Sequence, residues 1–205
     1  MTANDGYFKG AAASGSYLAA RGFNARGNRS GGIVGPKEVQ VPSGAILFRL
    51  YHIPGEEFGQ WWSTANELAA VFDHFAREGS SAAVGRTAGK GILHAALAVR
   101  HDWSEPKGGG KPSADHLGRY VCARLKVPLT AYYGEGDDAP SDNQKGIQKA
   151  VKILSKSGSQ VGVRQLFFPE CWKYAQNFSV VDSGYTDSGL QNALRKHMTG
   201  PLPFE

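Results

Sequence analysis

The chain predicts an α+β domain of mixed strands and two or three helices, on three observations. Apolar runs of strand length recur between glycines and prolines, with 27 Gly and 10 Pro along 205 residues. The hydrophobic period switches from strand-like to helical at separate places in the chain. Aromatic residues are plentiful, with four Trp, eight Tyr and ten Phe, enough to fill a core without disulfide staples.

Residues 1–40 are rich in Gly, Ala and Ser and weakly patterned, and they read as a loose segment with one short helix over Ser16–Arg21. The regular domain then occupies 41–205. Its first strand lies in VQVPSGAILFRLYHI, where Ile46–Tyr51 is apolar and Pro54-Gly55 ends the run. QWWST reads as a second short strand. In ANELAAVFDHFAREG, Leu68, Val71, Phe72 and Phe75 recur at three- and four-residue steps, which predicts an amphipathic helix. Gly91–Trp103 reads as a strand, Lys107–Lys111 as a loop, and RYVCARLKVPLTAYYG as one or two strands broken at Pro128. An Asp/Ser start signal followed by Ile147, Val151 and Leu154 at helical spacing predicts a helix after Pro140. VGVRQLFFPE and NFSVVD read as late strands, and DSGLQNALRKHM as a closing helix capped by Ser188.

The formal net charge of +5 suits an anionic ligand or partner, or serves solubility alone. Basic residues are dispersed, the densest set being Arg21, Arg26 and Arg29, which is unlike a nucleic-acid-binding tail. Cys122 and Cys171 are too few for a disulfide framework, and their apolar surroundings predict buried free thiols. No zinc spacing exists, and no metal is expected. MTANDGYFKG lacks a signal-peptide pattern and no apolar run reaches 18 residues, so the expectation is a domain without a membrane span that acts in the cytosol of the producing cell, or of a target cell after delivery without a classical signal peptide.

Three separated pieces carry candidate chemistry. Arg49 places a guanidinium inside AILFRLY, so it has a buried carboxylate partner, points at an anion in a cleft, or lies on an exposed strand face. Trp61-Trp62-Ser63-Thr64 leads directly into the first strong helix, where either hydroxyl serves equally as a cap. Neighbouring strand residues face opposite sides, so one Trp points away from the core beside a hydroxyl. Val163-Arg164-Gln165-Leu166-Phe167-Phe168-Pro169 opens an apolar strand with polar residues and closes it with proline. The six histidines are scattered, and His52, just after the Arg49 strand, is the one nearest these pieces in sequence.

Taken in order, these pieces resemble the ADP-ribosyltransferase fold of bacterial toxins, in the branch with an Arg–Ser/Thr–Glu/Gln signature. Arg49 matches the arginine of that family's first strand. Ser63-Thr64 with AAVFDHF after it matches the serine-threonine strand and its helix. Gln165-Leu166-Phe167-Phe168-Pro169 matches the late catalytic strand, and LKVPLTAYYGEGDDAP is similar to the strand and acidic loop before it. The likeness covers about residues 44–182 and implies a mostly antiparallel split sheet with flanking helices. Two positions depart from the pattern. Gln165 stands where most transferases have Glu, as in NAD-hydrolysing toxin relatives, and Val163 stands where protein-modifying members often carry a second Glu or Gln. Glu170, five residues beyond Gln165, is the alternative carboxylate.

The resemblance implies NAD as substrate. Arg49 would clamp the pyrophosphate, with Tyr51 and Phe72 beside the dinucleotide. Ser63 and Thr64 would position the ribose, Trp61 or Trp62 would flank the nicotinamide, and Gln165 would orient a ribose hydroxyl or water. ADP-ribose passes to water or to a protein or RNA acceptor. A toxin of this kind implies a small, acidic immunity protein as partner. Two other classes remain open on the residues alone: a basic RNA- or protein-binding domain, and a ribonuclease-like toxin using His52 or His94.

Overall fold

The computed structural model describes residues 1–27, 31–51, 54–77, 118–140, 147–148, 152–154 and 160–205. After a 3-10 turn, Asp5–Phe8, comes helix α1, Gly10–Ala20. Strands β1, Lys37–Val41, β2, Ile46–Tyr51, and β3, Trp61–Thr64, lead into helix α2, Ala65–Arg77. The later strands are β4, Arg119–Leu125, β5, Leu129–Glu135, β6, Ala139–Pro140, β7, Ile147–Gln148, and β8, Lys152–Leu154. Then follow β9, Gln160–Gly162, β10, Arg164–Phe167, β11, Phe178–Tyr185, and helix α3, Thr186–His197.

Seven strands form one sheet in the order β1-β5-β10-β3-β2-β4-β11, and every pairing between neighbours is antiparallel. The α+β class with an antiparallel sheet and flanking helices is therefore as expected. On one face α2 and α3 bury Leu68, Val71, Leu190 and Leu194 against Ile46, Phe48 and Leu50 of β2. Further along this face, Ala20 and Ile33 close over Tyr132 and Phe167. The opposite face packs Leu47, Trp62, Val121, Leu166 and Phe178 into a second layer. Burial of Leu68, Val71 and Phe72 on α2 follows from their spacing, which puts all three on one helical stripe.

The N-terminal residues attach through side chains that imitate a strand. Asn4 donates to the carbonyl of Thr130 at 2.8 Å and accepts from its amide at 2.9 Å. The Thr2 and Thr130 hydroxyls meet at 2.7 Å. Helix α1 runs from Gly10, six residues before the expected start, and its Ala13 carbonyl accepts from the Tyr132 hydroxyl at 3.3 Å. Beyond it the chain doubles back so closely that a side chain at Gly22 would sit 1.7 Å from the Gly31 carbonyl oxygen. Only glycine permits that approach, and at φ +82° the backbone favours it as well.

The helix expected after Pro140 is not formed at its described positions. Ile147 pairs with Pro140, and Ile153 pairs with Val161 in a second short hairpin. Gly146 and the β-branched Ile147, Val151 and Ile153 weaken a helix there, and strand partners override the spacing. Lys152 fixes that hairpin to Glu135 of β5 at 2.9 Å. Nor does Ser188 cap the closing helix: α3 begins at Thr186, whose amide donates to the Gly118 carbonyl at 2.9 Å. The neighbouring strand end supplies the acceptor, so the helix starts three residues early. The expected strand at Gly91–Trp103 and the Lys107–Lys111 loop lie outside the described residues.

Candidate active site

Strand β3 changes partner halfway along. Trp61 and Trp62 pair with Phe167 and Leu166 of β10, whereas Ser63 and Thr64 pair with Phe48 and Leu47 of β2. Beyond Leu166, β10 continues with β5 alone, Gln165 opposite Gly134 and Arg164 opposite Glu135. The sheet therefore forks, with Ser63-Thr64 on one prong and Arg164-Gln165 on the other.

Into this fork reaches Glu67 from the first turn of α2. Its carboxylate accepts from the Arg164 amide at 2.9 Å, taking the place of a strand partner at the opening. It also accepts from the Tyr133 hydroxyl at 3.4 Å and lies 3.9 Å from the Arg164 guanidinium. Burial, the largest influence, pushes the Glu67 carboxyl above its ordinary value. The Arg164 amide and guanidinium pull it down, and the Glu205 carboxylate pushes it up again. Thr64 caps α2 by accepting from the Glu67 amide at 3.2 Å. Sequence reasoning missed Glu67, although the T-x-x-E spacing of a capping box, Thr64 to Glu67, was its signal. In the fold that carboxylate serves the next strand instead of its own cap.

Strand alternation sorts the expected site residues between the two faces. Ser63, Gln165 and Phe72 belong to the face covered by α2, with Trp61 and Phe167 further along it. Ser63 and Gln165 are 5% and 3% exposed. Among the described residues the Ser63 hydroxyl has no hydrogen-bond partner. An unpaired buried hydroxyl costs about 1–3 kcal/mol, so its place at the fork calls for an account. Val163 is a core residue of the same layer.

Arg49, Tyr51, Trp62 and Thr64 belong to the opposite face. The structure thus does not bring Arg49 together with Ser63 and Gln165. Among the described residues no carboxylate forms an ion pair with its guanidinium. It is half-buried and donates to two neutral carbonyls, Glu56 and Trp61, each at 3.2 Å. Gly59 makes room for it, since a Cβ there would lie 2.1 Å from Nη2. Desolvation lowers the pKa of Arg49, with the Cys171, Glu56 and Glu57 charges acting in the other direction.

Trp62 is a core residue. Phe178 stacks on its ring at 5.0 Å, and its indole N–H donates to Gly59 at 2.8 Å. Trp61 is the half-buried one of the pair, 4.8 Å from Phe167. Tyr51 is buried among Glu57 and Arg119. Glu170 adopts a left-handed backbone, φ 47°, and binds Lys173 at 2.7 Å. His52 and His94 lie outside the described residues. Both cysteines are free and buried, and burial pushes each thiol up to about 12. Among the described residues, no cluster of His, Cys, Asp and Glu is arranged to hold a metal, and no helix is long and apolar enough to cross a membrane.

No family model matches the chain, and no curated protein matches it. A solved structure of Rhs1-CT in complex with its cognate immunity protein RhsI1 is similar at 15% identity with a TM-score of 0.44. That match covers 86% of this chain and 96% of the other.

Proposed function

We propose that this chain is an NAD-consuming toxin or effector domain that cleaves the nicotinamide–ribose bond. The observation that carries the reading is the fork. Segments more than 100 residues apart, WWST and QLFFP, meet on adjacent strands, and Ser63 and Gln165 face the same side where those strands part. A buried hydroxyl with no partner among the described residues, on the same face as a primary amide, suits the hydroxyl groups of a ribose.

In this proposal water adds to the ribose C1′ as its bond to the nicotinamide nitrogen breaks. The bonding electrons leave with neutral nicotinamide, and ADP-ribose and a proton are the other products. Gln165 orients the ribose hydroxyl or the water, and Ser63 holds the sugar. Trp61 flanks the nicotinamide, with Phe72 in the apolar wall. Gln165 carries no charge to stabilise the cationic sugar, and Glu67, bound to the adjacent Arg164 amide, supplies it. Arg49 holds the 56–61 segment from behind, in place of clamping phosphates. Preorganised dipoles of this kind reach several kcal/mol, and removal of one donor costs about 100- to 1,000-fold in rate.

Gln165 and the apolar Val163 favour water as acceptor over a protein or RNA. Incubating the purified chain with NAD and following nicotinamide by chromatography tests the proposal. Absence of nicotinamide with and without cell lysate would sink it. Release only with lysate would move the assignment to transfer, and labelled NAD would then separate a protein from an RNA acceptor. The toxin reading also calls for an immunity protein, acidic in view of the +5 charge of this chain.

A further inference from the structure

A dinucleotide needs a cation for its pyrophosphate, and Arg49 is held across the sheet by the Glu56 and Trp61 carbonyls. The segment before β1 has cations on the ligand side. From Gly6 to Lys37 the chain carries no acidic residue, whereas Lys9, Arg21, Arg26, Arg29 and Lys37 are basic. Arg29 lies outside the described residues.

Three contacts bring Arg21 to that side. Helix α1 ends at Ala20, which packs with Tyr132, Phe167 and Trp61 on the face that Gln165 shares. The Ala20 carbonyl accepts from the Ile33 amide at 2.9 Å. Ile33 lies against Gly134, the residue directly opposite Gln165 on β5. A Cβ on Gly134 would stand 2.6 Å from Ile33 Cγ2, so only glycine admits this approach. Arg21 therefore opens a loop that returns beside Gln165.

The helix end leaves the guanidinium unused. A cation at a helix C-terminus commonly offsets free carbonyls. Here the Tyr17, Leu18, Ala19 and Ala20 carbonyls all accept from backbone amides, those of Arg21, Phe23, Gly22 and Ile33, at 2.9–3.0 Å. The half-buried Arg21 guanidinium instead lies over the Phe23 ring, 5.7 Å from its centroid. A ring face holds a guanidinium without using its N–H donors. Exposed Arg26 follows in a turn where the Asn24 side chain accepts from its amide at 2.9 Å. Neither guanidinium has a hydrogen bond or ion pair among the described residues. Asp137 is tied to the loop by its amide bond to the Gly32 carbonyl at 2.8 Å and pairs with neither arginine. Two unpaired cations on one short loop suit a diphosphate, which a guanidinium grips through parallel N–H donors.

We propose that Arg21, with Arg26 outside it, binds the pyrophosphate of the dinucleotide. The inference rests on the reading of the fork as the NAD site. It moves the phosphate clamp from β2 to the segment before β1, with Gly134 positioning that segment beside Gln165.

The test measures nicotinamide release from NAD and from nicotinamide riboside, which has the same scissile bond and no phosphate. Calorimetry measures binding of inorganic pyrophosphate. Arg21→Ala should raise KM for NAD by about tenfold or more, the size of one charge-assisted bond, with a smaller change in kcat. It should leave KM for the riboside as in wild type and weaken pyrophosphate binding by a similar factor. Arg21→Lys should restore most of the loss, and Arg26→Ala should act in the same direction more weakly. An unchanged KM for NAD in Arg21→Ala, or an equal rise for both substrates, would overturn the clamp. So would loss of binding to a single-stranded RNA oligonucleotide with KM for NAD kept, because the cation would then serve an acceptor. Should Arg21→Ala fail to fold, Arg21→Gln gives the same comparison. If the wild-type chain releases no nicotinamide, the NAD reading fails by itself. The anion site then stands if pyrophosphate binds and Arg21→Gln weakens it, and falls if either result is missing.

Discussion

Ser63 and Gln165 face the same side of the sheet at the point where β3 leaves β10 and joins β2. Arg49 lies across the sheet from both, bound to the Glu56 and Trp61 carbonyls. This relationship separates residues expected to act on a ligand from residues that build the prongs, and the two groups should respond differently to substitution.

Gln165→Ala should lower kcat/KM for nicotinamide release by about 100-fold or more, in line with loss of one preorganised donor. Gln165→Glu should keep or raise activity, because it adds the negative charge that a cationic sugar favours. Steady-state kinetics on both variants check this. Wild-type activity in Gln165→Ala would remove Gln165 from the site.

Arg49→Ala should act chiefly on stability. Two charge-assisted bonds to carbonyls are lost, a cost of about 1.5–3 kcal/mol for each bond of this kind, reduced by access of water to the half-buried group. Gly59→Ala should lower stability in the same direction, since its methyl group would displace the Arg49 guanidinium. Urea unfolding followed by Trp fluorescence measures both, and an unchanged midpoint in Arg49→Ala would contradict this placement.

The two tryptophans should separate cleanly. Trp62→Ala removes a core ring that is 1% exposed, and should cost about 3–5 kcal/mol. Trp61→Ala should cost less in stability and more in KM for NAD, because its ring is half-buried on the Ser63 face. Chemical denaturation and kinetics on the pair of variants give the comparison.

Acid and alkali should act through different carboxyls. The Glu67 carboxyl is raised, so its contribution is fully present below the ordinary glutamate value near 4.5 and is lost as pH rises through the folded value. Glu67→Gln keeps an acceptor for Arg164 without the buried charge, so it should gain on wild type as pH rises from 4.5 to 8. Asp182 has the opposite sign. Burial pushes it up, but hydrogen bonds from His197 at 3.0 Å and Tyr120 at 3.2 Å prevail and hold it low. Its contribution is present above the ordinary aspartate value and is lost as pH falls through the folded one. Asp182→Asn should therefore flatten the acid limb of an unfolding-versus-pH curve, and parallel curves would refute the assignment.

The sequence by itself determined most elements that are periodic over many residues. The α2 stripe of Leu68, Val71 and Phe72, the Ile46–Tyr51 strand and the break at Pro128 follow from local patterning. Both buried free thiols do too. The ordered set of motifs, through its resemblance to the transferase fold, singled out Arg49, Ser63 and Gln165 together. Where helical spacing met strand pairing, pairing prevailed, as at Ile147 and Ile153, and at the start of α3 the Gly118 carbonyl moved the boundary.

Only the tertiary structure decided which side of the sheet each candidate faces. A strand's two faces differ by one residue, and nothing in AILFRLY or WWST says which parity meets the helices. That parity joined Ser63 to Gln165, put Arg49 behind them and buried Trp62 instead of Trp61. The tertiary structure also brought Glu67 to the Arg164 amide and Glu205 over Thr64, 141 residues away. Contacts of that sequence separation arise from closure of the whole chain, and no local period records them.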